Sequence, residues 1–249
     1  MVGLQPVDAV EVTLVVDNYV DILAAGAEGV RRFPLAYDFA DHEQLVAEHG
    51  FSALVTVESD GSRSSVLYDG GMTPRGLANN LDVMEIDPTG LRAIAISHGH
   101  VDHHGGLEGL AARTGRRRLP LLLHPGAWRD RKLTFPTGAE LHLPPPSRAD
   151  LEAEGLEVVS GCSHAGAVNV LHNARRLTGR DRIVGFVGGF HLTGAVFEPI
   201  IEPTVAAFAG FGVERLVPGH CTGWKGTHRL AQTMPEAFIQ PTVGTTLRF

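Results

Sequence analysis

Ser97-His98-Gly99-His100-Val101-Asp102-His103-His104-Gly105-Gly106-Leu107 (SHGHVDHHGGL) decides how this chain is read. Four histidines and an aspartate fall within residues 98–104, in the order His-x-His-x-Asp-His. A tight loop with this spacing can turn His98 and His100 toward one cation, while Asp102 and His103 face a second. Imidazole and carboxylate together suit zinc, and also iron or manganese. No thiolate lies in the cluster, which argues against a zinc finger. A set drawn from His and Asp leaves room for water, as a catalytic site requires. Gly99 frees the backbone to turn, and Gly105-Gly106 lets the next helix pack close.

The cluster follows a short apolar strand, Leu91 to Ile96 (LRAIAI). Three more segments stand at the ends of expected strands in the same way. Gly161-Cys162-Ser163-His164 follows LEVVS (156–160), Gly188-Gly189-Phe190-His191 follows RIVGFV (182–187), and Pro218-Gly219-His220 follows VERLV (213–217). Ligand sites in α/β sheets favour the carboxyl ends of strands, so these four loops can converge. Upstream, VEVTLVVD (10–17), FSALVTVE (51–58) and SSVLYD (64–69) read as strands, and Asp60-Gly61 as a hairpin turn. Helices are expected over 74–83, where Pro74 starts the run, and over 105–113, 167–177 and 197–208. LPLLL (119–123) is a further strand, and Leu143-Pro144-Pro145-Pro146 a stiff loop. Strand-rich sequence followed by β/α alternation points to sheets with helices outside them.

The bulk properties narrow the function classes. The chain has 249 residues, 43% of them apolar and 20% charged, enough to bury a sizeable core without disulfides. A net charge of -7 argues against a nucleic-acid partner, and the basic group Arg113, Arg116, Arg117 and Arg118 reads as a solvated helix end. Two cysteines, Cys162 and Cys221, make no disulfide framework and read as small buried hydrophobes. The first residues lack a basic segment leading into an apolar one, and no apolar run reaches membrane-spanning length. The expected location is therefore the cytoplasm. Of the thirteen histidines, His42, His49, His142, His172 and His228 read as surface or cap residues, and His124 as a pocket wall. Asp17 and Asn18 are within reach of the site from the first strand.

SHGHVDHHGGL resembles the metal-binding signature of the metallo-β-lactamase superfamily, and the resemblance extends over most of the chain. YDGG (68–71) is similar to the superfamily's earlier Asp-Gly turn, which makes Asp69 a residue that orients a ligand histidine. His164 stands where the superfamily supplies its third first-site histidine, and His220 in PGH (218–220) where it supplies the last second-site one. GCSHAGAVN (161–169), VGGFHL (187–192), PGHCTG (218–223), VDN (16–18) and VGTTLRF (243–249) resemble one branch. Its members are named 7,8-dihydropterin-6-yl-methyl-4-(β-D-ribofuranosyl)aminobenzene 5′-phosphate synthases. The superfamily's bridging aspartate is missing here. His191 stands in that loop and either ligates the second metal or binds substrate.

The resemblance implies an α/β fold over 1–249 as a single metallo-β-lactamase-fold domain: an αββα sandwich of two mixed β-sheets packed face to face, with helices on the outer faces. It implies a metal-dependent hydrolase holding one or two divalent ions, zinc first and iron or manganese as alternatives. The metal ligands are His98, His100, Asp102, His103, His164 and His220, and Asp102 and His191 carry the catalysis. The expected partner is a small-molecule substrate, with no nucleic acid and no membrane, and a homo-oligomer is compatible with the chain. Two other functions are carried beside this one. One is the branch's transferase chemistry, joining a dihydropterin to an aminobenzene ribotide. The other is a non-catalytic metal-containing protein that binds a small ligand.

Overall fold

The computed structural model describes residues 5–34, 41–115, 119–135, 137–153, 156–160 and 166–249. In chain order the elements begin β1 (Ala9–Val16), β2 (Val30–Arg31), β3 (Ser52–Ser59), β4 (Ser62–Tyr68), α1 (Pro74–Val83) and β5 (Leu91–Ile96). They continue α2 (Val101–His104), α3 (Leu107–Arg113), β6 (Leu119–Leu123), β7 (Arg131–Thr134), β8 (Glu140–Leu143), α4 (Arg148–Ala153) and β9 (Leu156–Ser160). The last are α5 (Ala167–Thr178), β10 (Phe186–Gly189), α6 (Ile201–Phe211), β11 (Leu216–Gly219), α7 (Gly223–Thr233) and β12 (Thr246–Arg248). No helix among the described residues is long and apolar enough to cross a membrane.

The chain divides into two compact units. The larger, 8–164 with 243–248, is built on an eight-stranded sheet in the order β2-β12-β1-β3-β4-β5-β6-β9. From β2 to β4 the neighbours are antiparallel; from β4 through β5 and β6 to β9 they are parallel. The changeover follows from the connections. Asp60 and Gly61 both take positive φ, 49° and 73°, the turn that joins β3 to β4 as a two-residue hairpin. Beyond β4 each strand returns after a crossover, which parallel pairing demands. The first crossover carries α1, which starts as the sequence predicts: Pro74 sits in the first turn, and Thr73 Oγ1 accepts from Gly76 N at 3.0 Å. Leu77 and Leu81 of α1 and Leu107 and Leu110 of α3 pack on Leu67, Ile94, Leu121 and Leu123 of the strands, all buried. On the antiparallel half, Glu11 of β1 pairs with Arg63 of β4 (2.5 Å) and Arg248 of β12 (3.1 Å). Glu58 of β3 joins the same two arginines, making a charge ladder across four strands.

The smaller unit, 165–242 with 1–7 and 249, has β10 and β11 as a parallel pair in which Gly189 stands opposite Gly219. Its core gathers Leu171, Phe190, Leu192, Val205, Phe208, Leu216 and Leu230. Helix α6 departs from expectation. A helix from Phe197 was expected; instead a 3-10 turn covers Glu198–Ile200, and the α-helix runs Ile201–Phe211. Pro199 and Pro203 explain this, because starting at Ile201 leaves Pro203 in the first turn, where no amide hydrogen is needed. The expected strands 182–187 and 213–217 are likewise found later, as Phe186–Gly189 and Leu216–Gly219.

Candidate metal centre

The parallel half of the large sheet sends its carboxyl ends to one edge. Asp69 follows β4, Ser97-His98 follows β5, and His124 follows β6. The segment after β9, with Cys162 and the expected ligand His164, lies outside the described residues, as do Arg116, Arg117 and Arg118.

Asp69 is the organising residue. It is fully buried, with φ at 59°, a left-handed conformation that short polar side chains tolerate best. Its Oδ1 accepts from Ser97 N at 2.7 Å. Its Oδ2 accepts from Ser97 Oγ at 2.8 Å and faces His103 Nδ1 at 2.8 Å. A carboxylate accepts only, so His103 carries its proton on Nδ1 and turns the lone pair of Nε2 outward. Ser97 Oγ donates its one hydrogen to Asp69, so it accepts from His98 Nδ1 at 2.9 Å. That leaves a lone pair on His98 Nε2, which stands 3.0 Å from His100 Nδ1. One carboxylate therefore fixes two imidazoles, one directly and one through a hydroxyl. Burial opposes charge on His103, but the Asp69 carboxylate outweighs it through charge and hydrogen bond, with Asp102 adding to it. The His103 pKa is raised above its ordinary value.

The rings of His98 and His103 lie 4.0 Å apart, and His103 Nε2 is 3.8 Å from Asp102 Oδ2. Thus His98, His100, Asp102 and His103, which the sequence singled out, share one patch of the large unit. The glycines of the motif are sterically required. A Cβ on Gly99 would overlap the Ala127 carbonyl, and on Gly105 and Gly106 the carbonyls of Met72 and Gly70. The helix expected over 105–113 begins at Leu107 as α3, and those two glycines separate it from the short α2 before it. Arg131 ties the His98–His100 turn to its neighbour loop, donating to Gly99 O (3.3 Å), Ala127 O (3.0 Å), Arg129 O (2.7 Å) and Gly126 O (2.5 Å).

His104 faces inward. Its Nε2 is buried with no hydrogen-bond partner, and burial together with the neighbouring His103 pushes its pKa down to about 4. His124 accepts from Gly126 N at 3.0 Å and caps a 3-10 turn. His49 is exposed, as expected, and brings Nε2 to 3.6 Å from Asp102 Oδ2. No local signal marks it. Its place comes from a long-range backbone bond, Phe51 N to Asp102 O at 3.1 Å.

The smaller unit holds His191 and His220. They follow the carboxyl ends of the paired strands β10 and β11, and both have positive φ, 54° and 45°. His220 is buried beside Gly189, where a Cβ would approach its Cδ2 to 3.3 Å. His191 is exposed, with its ring 4.3 Å from that of Phe197.

The family model for the metallo-β-lactamase superfamily matches residues 47–196, more than half of the chain. A curated relative from Methanocaldococcus jannaschii, 7,8-dihydropterin-6-methyl-4-(β-D-ribofuranosyl)-aminobenzene-5′-phosphate synthase, is 25% identical across 89% of this chain and 97% of its own length. A second protein of that organism, uncharacterized, is 25% identical across 78% of this chain and 92% of its own. Among solved structures, a metal-dependent hydrolase of the β-lactamase superfamily is similar at a TM-score of 0.69 and 21% identity, covering 96% of this chain and 98% of that one. A diphosphatase of the PhnP family is similar at 0.51 and 14% identity, with 98% of both chains covered. The likeness bears out the expected α/β fold of mixed sheet and flanking helices.

Proposed function

The chain belongs to the metallo-β-lactamase superfamily, and on that premise we propose that it is a metal-dependent hydrolase of a small-molecule substrate. The observation that carries the reading is the shared carboxylate. Asp69 accepts from both Ser97 and His103 and so aims the Nε2 lone pairs of His98 and His103 outward. Buried carboxylates that hold the far nitrogen of an imidazole are the usual support of a metal-ligating histidine. The donor set fits a divalent ion: imidazoles and a carboxylate, with two ring nitrogens 3.0 Å apart. Tetrahedral zinc with nitrogen ligands places its donors about 3.3 Å from one another.

In this reading His98, His100, Asp102 and His103 hold one or two divalent ions, with His164 and His220 as further ligands and zinc as the first candidate. His191 either joins the ligands or meets the substrate. A bound ion would supply Lewis-acid chemistry, acidifying water and neutralising charge on the attacked carbonyl or phosphoryl group. The protein's part is to fix the tautomers of the ligand imidazoles and aim them, which Asp69 and Ser97 do, and to hold the His98–His100 turn in place, which Arg131 does. Asp102, the less enclosed of the two carboxylates of this patch, orients water as well as metal. The acidic chain favours a small substrate over nucleic acid, and a cytoplasmic location accords with the sequence.

The near end-to-end alignment with the archaeal synthase supports a second reading, transfer of a dihydropterin to an aminobenzene ribotide. The test is elemental analysis of the purified protein, with turnover of p-nitrophenyl esters and bis-p-nitrophenyl phosphate before and after chelation. Metal at one or two equivalents, with hydrolysis lost on chelation and restored by zinc, is the expected result. Full activity after chelation overturns the proposal. Bound metal without hydrolysis, but with condensation of the two pterin-pathway substrates, moves it to the second reading.

A further inference from the structure

The turn 48–51 is tied down on every side. Glu48 N donates to Asp17 O at 3.2 Å, and the Glu48 carboxylate accepts from Met72 N (2.8 Å), Thr73 N (3.0 Å) and Thr73 Oγ1 (2.5 Å). Phe51 N donates to Asp102 O, and a Cβ on Gly50 would come within 2.9 Å of that same oxygen. His49 is therefore presented to Asp102 by a fixed backbone, although its own side chain is 63% exposed.

Asn18 then decides which nitrogen of His49 bears the proton. Gly50 N donates to Asn18 Oδ1 at 3.3 Å. A backbone amide can only donate, so this contact fixes which end of the Asn18 amide is oxygen. The other end, Nδ2, faces His49 Nδ1 at 3.3 Å. An NH₂ group also only donates, so His49 Nδ1 accepts, and a neutral imidazole in that state carries its proton on Nε2. Nε2 is the nitrogen that faces Asp102 Oδ2, 3.6 Å away.

We propose that Asn18 sets the His49 tautomer so that His49 is a positioning residue, donating its Nε2–H to the Asp102 carboxylate and orienting it as a metal ligand. The inference rests on the metal-centre reading above and deepens it. The 3.6 Å separation is longer than a hydrogen bond, so the proposal requires the two side chains to draw together when the metal binds. In this arrangement His49 supports the ligand Asp102 rather than joining it, with Nδ1 facing Asn18 and Nε2–H facing the carboxylate. Ligating carboxylates are hydrogen-bonded in their turn, and loss of such a partner weakens metal binding by roughly 10–100-fold.

The experiment is long-range ¹H–¹⁵N correlation of the histidine rings in metal-free and zinc-loaded protein, at alkaline pH where imidazole is neutral, joined to zinc affinity by chelator competition. Wild type shows His49 protonated on Nε2 in both states. Asn18→Asp moves the proton to Nδ1, because a carboxylate there accepts. His49→Ala weakens zinc by roughly 10–100-fold, and His49→Gln, which keeps an N–H donor, recovers most of the loss. An Nδ1–H tautomer in metal-free wild type overturns the proposal. So does loss of the Nε2 proton on zinc binding, which makes His49 a direct ligand, and so does an unchanged affinity in His49→Ala. Wild-type protein that binds no zinc overturns the metal-centre reading itself, whereas binding that is indifferent to His49 overturns only this inference.

Discussion

Replacing Asp69 with asparagine tests the shared carboxylate with almost no change of shape. Asparagine tolerates the left-handed backbone at this position, where φ is 59°. Ser97 N must still find an acceptor, so the amide oxygen takes the place of Oδ1 and the NH₂ takes the place of Oδ2. The NH₂ then donates to His103 Nδ1 and Ser97 Oγ, which now face a donor instead of an acceptor. His103 shifts its proton to Nε2. Ser97 turns its hydroxyl hydrogen toward His98 Nδ1, and His98 shifts its proton to Nε2 as well. Both rings thus present N–H where a metal needs a lone pair. Restoring the other tautomers leaves buried donors opposed, at about 1–3 kcal/mol. The expected loss of zinc affinity is roughly 10–100-fold, or about 1.4–2.7 kcal/mol. Chelator competition measures it, and thermal unfolding of the metal-free protein separates it from a loss of fold. A metal-free Tm near wild type with zinc affinity also unchanged refutes the tautomer argument.

Three other substitutions address different parts of the structure. Gly99→Ala drives a methyl into the Ala127 carbonyl, so we expect a loss of about 1–3 kcal/mol in unfolding free energy by urea denaturation, with metal binding falling alongside it. Arg131→Ala removes a guanidinium that serves four backbone carbonyls and should cost about 1.5–3 kcal/mol by the same measurement, with Arg131→Lys recovering only part of it. Glu11 concerns pH. Burial raises its pKa, but hydrogen bonds from Arg63 and Arg248 outweigh this and hold it below the ordinary value. A group depressed on folding stabilises above its unfolded pKa, about 4.3 for glutamate, and that stability is lost as pH falls through the folded value. Glu11→Gln should therefore lower Tm at neutral pH and flatten the fall of Tm below about pH 4.3.

The best-read elements are those whose limits are set by local chemistry. Pro74 and the Thr73 cap mark the start of α1, and the apolar runs 91–96, 119–123 and 156–160 become strands with those same limits. The reading fell short at the strands expected over 182–187 and 213–217, which both start and end later. Gly188, Gly189, Pro218 and Gly219 continue β10 and β11, because the pair needs bare backbone where a Cβ on Gly189 would press on Cys221 and His220. Of the site, the local motif carried His98, His100, Asp102 and His103, and the Asp-Gly turn carried Asp69. His49 is at the surface as expected, but an isolated histidine in a polar stretch gives no sign that it faces Asp102. The bond from Phe51 N to Asp102 O that brings it in joins residues far apart in the chain.

The change of strand direction at β4 also bears on how the protein assembles. The hairpin between β3 and β4 closes over two residues, so the antiparallel half is local in sequence and can form early. The parallel half forms only after each crossover has closed a longer loop, at a greater entropic cost. Asp69 belongs to the early half by its strand, and Ser97, His98 and His103 arrive with the late one. The donors His98 and His103 therefore meet Asp69 only once β5 has paired with β4. An ion held at the proposed centre would therefore add its binding free energy only to states in which β5 has joined β4, and so would favour the completed topology.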